Sequence, residues 1–182
     1  MDIRTPTPDD LDALLDFFER VPESERTFFK EHVLDRATVE GWLTSDRGRR
    51  ALAFDDEDDG RVIGYVAVVR LSGWSDHVGD VRLVVDPTRR TQGVGRTLAR
   101  WALVQALEAG LTKLTVEVVA EQERAVAMFT ALGFRAEGLL LDHVRDHDGV
   151  LRDLVLLSHP VADSWSAMET AGIDDALRAG DG

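Results

Sequence analysis

From Val84 to Arg100 the chain reads VVDPTRRTQGVGRTLAR: an apolar strand end, a short loop with glycines at 93 and 95, and the start of a helix. That order suits an anion. Glycine lets the backbone approach a ligand closely, and the first turn of a helix presents N–H groups that have no partner within the helix. Arg89, Arg90, Arg96 and Arg100 cluster here, with no acid between Asp86 and Glu108, although the whole chain has a net charge of −13. A local cationic loop on an acidic protein points to a specific phosphate ligand. The P-loop pattern is absent because no lysine follows the glycines. The dinucleotide pattern fails because Leu98 stands where its third glycine would be. What remains is R-x-x-G-x-G, Arg90 to Gly95, which taken alone is also compatible with a plain strand-to-helix turn.

A second feature is a carboxylate in an apolar strand. In KLTVEVV the two-residue period puts Leu114, Val116 and Val118 on one side and Thr115, Glu117 and Val119 on the other. A glutamate between valines implies a face that borders a cavity, or else a sheet rim or a salt bridge. His143, Asp146, His147 and Asp148 are metal-ligating types, but they crowd a hairpin turn and read as solvent-facing turn residues, so no metal site is expected. The chain has no cysteine, which excludes disulfides, thiolate metal sites and cysteine nucleophilic catalysis. The acidic balance argues against a nucleic-acid partner. The first residues, MDIRTPTPDD, lack a signal-peptide pattern, and no apolar run approaches the roughly 20 residues of a membrane span. A cytoplasmic location and no membrane association are expected.

The elements that must position these residues follow from periodicity. Ile3 to Thr5 reads as a first strand, with Thr7 as an N-cap, Pro8 at the first helical position, and Leu11, Leu14, Leu15 and Phe18 forming one apolar face. VPESERTFFKEHV reads as a loop or broken helix whose Phe28 and Phe29, with Phe17 and Phe18, either pack in the core, the reading preferred here, or line a pocket, and ATVEGWL reads as a second short helix. Two strands joined by an acidic turn at Asp59-Gly60 come next, then the strand GDVRLVVD, a helix from Arg96 to about Ala109, and the strand LTKLTVEVV. Strand–helix–strand implies a parallel pair joined by a crossover. The crossover helix is apolar almost all round near Trp101 to Leu107, so deep burial is expected. A helix from about Glu121 to Leu132, closed by Gly133, precedes a long hairpin turning at Asp148-Gly149. The expected organisation is one α/β domain over residues 1–160 and a short helical extension over 161–182.

Two motifs in order resemble the GNAT superfamily of acyl-CoA N-acyltransferases. RTQGVG satisfies the family's pyrophosphate loop, [QR]-x-x-G-x-[GA]. Downstream, QERAVAMFTALGF, Gln122 to Phe134, is similar to its Asn-x-x-Ala-x-x-Leu-Tyr-x-x-x-Gly-Phe helix. With the surrounding elements the resemblance spans roughly Ile3 to Ser158. It implies a mixed, mostly antiparallel sheet with a central splayed parallel pair and flanking helices. It implies acetyl-CoA as acyl donor, its pantetheine arm bonded by the backbone of Leu83, Val84 and Val85. The N–H groups of Arg90, Thr91, Gln92, Gly93, Val94 and Gly95 would hold the pyrophosphate, with Arg96 opening the helix. The N-terminal helices, about Pro8 to Leu43, would wall the acceptor site. Homodimers are common in the family, and a homodimer is possible here.

Acetyl transfer to an amine needs a proton acceptor. Glu117 lies where some family members carry their base, five residues before the motif's asparagine, a position taken here by Gln122. Asp80, near the start of the preceding strand, is the second candidate; Asp76 and His77 are more distant ones. The family's usual acid is a tyrosine, and that position is Phe129. Tyr65, the one tyrosine, lies well upstream. Thr130 is roughly 100° round the helix and a far weaker acid. Losing general-acid help costs typically about 10²–10⁴-fold without forbidding the reaction, so water or an acceptor-pocket acid would protonate the thiolate. The expected function is direct acetyl transfer from acetyl-CoA to a primary amine of a small molecule or peptide. The alternative is a weak or inactive acyl-CoA-binding sensor, with Phe129 marking the lost chemistry.

Overall fold

In the computed structural model, which describes residues 1–26, 29–56 and 60–161, the apolar runs form seven strands of one sheet. They are β1 (Asp2–Arg4), β2 (Gly48–Phe54), β3 (Val62–Arg70), β4 (Val78–Val85), β5 (Lys113–Val119), β6 (Arg135–Arg145) and β7 (Leu151–Pro160). Their order is β1-β2-β3-β4-β5-β7-β6, with every neighbouring pair antiparallel except β4–β5. The mixed sheet and its one parallel pair are those expected. The helices are α1 (Leu11–Arg20), α2 (Glu23–Arg26), α3 (Arg36–Thr44), α4 (Val94–Glu108) and α5 (Glu123–Ala131).

Both sheet faces are covered, which explains why β3 reads as an unbroken apolar run. Val66 and Val68 belong to the core under α4 and α5, whereas Tyr65 and Ala67 belong to the core under α1 and α3. On α4, Leu98, Ala99, Ala102, Leu103 and Ala106 are buried, while Trp101 and Leu107 are only partly covered. The helix expected to be deeply buried therefore buries one face.

Three local expectations change. Pro8–Asp10 is a 3-10 turn, and the α-helix proper begins at Leu11. Asp10 anchors that turn: its buried carboxylate accepts from the Thr7 N–H at 2.7 Å and from Arg4 at 2.6 and 2.8 Å. The Arg4 hydrogen bonds, aided by Thr7, outweigh burial and hold its pKa at about 2. The second change is at Val94 and Gly95, which belong to α4 rather than to the loop; Gly93, at φ 86°, is the N-cap, so the helix opens before Arg96. The third is at the β6–β7 turn. Asp146 is buried rather than solvent-facing, and accepts from the N–H groups of Asp148 (3.0 Å) and Val150 (2.8 Å) and from Arg152 Nε (2.9 Å). A turn that closes on its own carboxylate shields it from water.

Glu57–Asp59 of the acidic turn, Phe28, and the expected extension beyond Val161 lie outside the described residues.

Candidate active site

The parallel pair is short. β4 and β5 are in register only at Val78↔Lys113, Gly79↔Leu114 and Asp80↔Thr115, and then part. Each keeps its other neighbour: β4 stays paired with β3 as far as Val85, and β5 with β7 as far as Val119. The result is a fork whose open end is a cleft of about 1050 Å³.

One end of the cleft is the arginine loop. Its geometry is fixed from below by Asp86, which is buried and accepts from the Thr88 N–H (2.9 Å), the Thr88 hydroxyl (2.6 Å), Arg61 (3.1 Å) and Arg20 (3.3 Å). Burial alone would raise the Asp86 pKa; the Thr88 bonds and the two guanidiniums outweigh it, and the carboxyl is held below its ordinary value. Thr91 has φ 69° and Gly93 φ 86°; left-handed backbone is uncommon for a threonine and ordinary for a glycine. Gly95 lets the first turn of α4 sit close to β4 and α5, since a Cβ there would lie 3.2 Å from Met128 Sδ and 3.5 Å from Val85 Cγ2.

Arg90, Thr91, Gly93, Gly95 and Arg96 line the cleft together with Leu83, Val84 and Val85. Gln92 is exposed and does not line it, and the Val94 side chain is buried in the core, so these two offer a ligand in the cleft only backbone. Arg89 pairs with Asp55 instead. Arg90 is held at both terminal guanidinium nitrogens by Glu25 of α2, with Nη1 2.9 Å from Oε1.

The fork itself holds the carboxylates. Glu117 is the solvent-facing residue between buried Val116 and Val118, and lines the cleft. Asp80 is buried where the strands part, and accepts from Arg82 Nε at 3.2 Å. Between the two sits the ammonium of Lys30, 3.1 Å from Glu117 Oε2 and 3.5 Å from Asp80 Oδ2. Lys30 is held on both sides. The Phe29 ring packs edge-on against Phe18 at 5.4 Å, and Glu31 pairs with Arg82 at 2.8 Å.

Gln122 occupies the N-cap position of α5 and lines the cleft, as does Phe129, which is otherwise buried with its ring 5.1 Å from that of Phe134. The Thr130 hydroxyl donates back to the Val126 carbonyl at 2.8 Å. Tyr65 lies in the core on the opposite face of the sheet, stacked on Trp42, where burial pushes its phenol pKa up. Asp76 and His77 lie before β4 and do not line the cleft.

Sequence reasoning missed Lys30, Glu25 and Arg82, all of which line the cleft, and it misplaced His143, which belongs to β6 rather than to the turn and lines the cleft as well. One signal for Lys30 was available: it is one of two lysines among 21 basic residues.

The comparisons with known proteins agree with this architecture. A family model for the acetyltransferase (GNAT) family matches residues 11–134. The chain is 25% identical over 135 residues to the [ribosomal protein bS18]-alanine N-acetyltransferase of Escherichia coli K12, covering 72% of this chain and 88% of the relative. It is 32% identical over 129 residues to the mycothiol acetyltransferase of Jonesia denitrificans, covering 69% of this chain but 40% of that longer protein. Among solved structures, a GNAT-family acetyltransferase from Streptococcus pneumoniae superposes with a TM-score of 0.76 at 25% identity, over 87% of this chain and 98% of the other. The structure of yncA from Salmonella typhimurium with its cofactor acetyl-CoA has the same fold, with a TM-score of 0.76 at 15% identity over 88% and 94% of the two chains. No helix among the described residues is long and apolar enough to cross a membrane. With a family model matching most of its length, the chain belongs to the acetyltransferase (GNAT) family and is a GNAT-type N-acetyltransferase.

Proposed function

We propose that this enzyme transfers the acetyl group of acetyl-CoA directly to a primary amine of a small molecule or peptide, with Glu117 as the proton acceptor. The observation that carries this is the fork: Glu117 and Asp80 already flank a primary ammonium, that of Lys30, beside a cleft that runs to the arginine loop. Two carboxylates at the parting of two strands recognise a protonated amine by charge, and one of them must then take its proton.

The two carboxylates differ in fitness for that step. Asp80 is buried and paired with Arg82 as well as Lys30, so it holds cations in place. Glu117 faces the cleft and meets one cation among the described residues. The donor's fit rests on the loop. The free N–H groups of a helix start, the left-handed Thr91 and Gly93, and the Arg90 and Arg96 guanidiniums together present positive charge to a pyrophosphate. The backbone of Leu83 to Val85 would take the pantetheine arm. Bound acetyl-CoA supplies an activated carbonyl and a thiolate leaving group. Phe129 brings a ring and no proton to the cleft, so the proton for the thiolate comes from water or from the acceptor pocket.

Calorimetric titration with acetyl-CoA, combined with steady-state transfer to a panel of amines, tests the reading. Micromolar binding is expected, with Glu117→Gln lowering kcat by about 10²–10⁴-fold while acetyl-CoA affinity stays within about twofold of wild type. Equal turnover in Glu117→Gln would remove its role as base. Binding without turnover of any amine would favour an acyl-CoA sensor.

A further inference from the structure

We propose that Lys30 is a self-acetylation site: with acetyl-CoA bound, its ε-amine accepts an acetyl group in the enzyme's own cleft. The proposal rests on the transferase reading above and goes beyond it by naming an acceptor within the chain.

Lys30 Nζ lies 3.1 Å from Glu117 Oε2, within hydrogen-bond reach of the carboxylate assigned as proton acceptor. Its position is built rather than accidental. Phe29, the preceding residue, packs on Phe18 of the core, and Glu31, the following one, is tied to Arg82 of β4. Two anchors of different kinds thus fix the short segment that carries the amine into the fork. The side chain is about half exposed, at 48%, so the amine is not sealed from the cleft.

The rest of the chain sharpens the point. Of 21 basic residues only Lys30 and Lys113 are lysines. An arginine guanidinium stays protonated and offers no nucleophile, whereas a lysine becomes one on losing a proton. Lys113 lies outside the cleft lining, at the paired end of the fork, with its ammonium held by both Glu137 carboxylate oxygens at 2.7 and 2.8 Å. The chain therefore carries one lysine in the cleft and one outside it.

The step balances as follows. Glu117 takes a proton from the Lys30 ammonium. The freed nitrogen lone pair attacks the acetyl carbonyl carbon, a C–N bond forms, and the C–S bond breaks. The nitrogen loses its second proton to water, and CoA leaves as a thiolate that water protonates. The product is an N-acetyl-lysine amide without positive charge.

The full chain, its mass first recorded as purified, is incubated with isotope-labelled acetyl-CoA and followed by intact-mass and peptide mass spectrometry, with acetyl-CoA binding measured in parallel by calorimetry. The expected result is one acetyl group on Lys30, at a first-order rate independent of protein concentration, with Lys113 unlabelled. Glu117→Gln should slow the labelling by about 10²-fold or more. Lys30→Arg, which keeps the charge, should abolish it, and Lys113→Arg should label as wild type does. An acetyl group already present on Lys30 of the purified protein and absent from Glu117→Gln also supports the proposal. Equal slow labelling of Lys30 and Lys113, or a rate indifferent to Glu117→Gln, would mean solution chemistry and overturn it. Turnover of an external amine with Lys30 unlabelled would overturn this proposal and leave the transferase reading standing. Absence of acetyl-CoA binding would overturn both.

Discussion

Glu25 and Arg90 should move acetyl-CoA affinity in opposite directions, although they are partners in one ion pair. Arg90 lines the cleft at the arginine loop, and Glu25 of α2 holds both of its terminal nitrogens. If the pyrophosphate takes Arg90, it must take it from Glu25. The pair is part-exposed, with side chains 41% and 25% accessible, which places its strength in the range for surface pairs, about 0.2–1 kcal/mol. Its two-point geometry argues for the upper end. Removing the competitor with Glu25→Gln should therefore tighten acetyl-CoA and CoA alike by up to about fivefold, the equivalent of about 1 kcal/mol. Arg90→Ala instead removes hydrogen bonds to a charged group, worth about 1.5–3 kcal/mol, and should weaken binding by about 10- to 150-fold. Calorimetric titration at fixed salt reads both variants. Asp12→Asn controls for loss of one negative charge, since Asp12 is exposed on α1 and pairs with Arg36. Weakening by Glu25→Gln comparable to that by Arg90→Ala would refute the competition, because Glu25 would then be supporting the loop. An unchanged affinity in Arg90→Ala would refute contact between Arg90 and the pyrophosphate.

Further predictions concern the missing acid and the first turn. Phe129→Tyr should raise kcat by about tenfold or more and add an alkaline limb near the phenol's ordinary pKa of about 10, read from a pH–rate profile; an unchanged kcat with a lowered Tm would mean that the new hydroxyl faces Phe134 rather than the cleft. Asp10, with a folded pKa of about 2 against an ordinary 3.8, contributes stability that is full above about pH 4 and disappears as pH falls toward 2. Asp10→Asn should therefore cost about 2 kcal/mol in urea unfolding at neutral pH and match wild type near pH 2; a constant difference across that range would refute the assignment.

The features legible in the sequence are those whose cause is local. The arginine loop carries its glycines, its cations and its strand end within one short stretch, and the two-residue period of β5 alone separates Glu117 from its buried valine neighbours. Where a local signal had two meanings, the wrong one was sometimes taken. Polar crowding around Asp146 read as solvent exposure, but three donors gathered from its own hairpin bury that carboxylate. Gly93 read as a loop glycine, but at φ 86° it is also a helix cap, which moves Val94 into the core and shifts the start of α4. Gly95 read as a glycine for close approach to a ligand, and besides lining the cleft it allows a close approach to Met128 from a segment downstream.

Lys30 shows why the remainder was illegible. Apart from the scarcity of lysine in the whole chain, nothing in FFKEHV marks a site: a lysine between a phenylalanine and a glutamate is ordinary surface sequence. It becomes a functional residue only because three independent forces act on three consecutive side chains. Apolar burial draws Phe29 onto Phe18, a salt bridge draws Glu31 onto β4, and the residue between them meets two carboxylates from two different strands. The aromatic contact lies within one stretch of sequence, but the ion pairs of Glu31 and Lys30 join segments fifty or more residues apart, so no short window contains them. The same dependence makes the segment a control point for the fork. A change at Phe29 or Glu31 should alter what reaches Glu117 without touching the arginine loop, so acceptor kinetics should shift while acetyl-CoA affinity holds.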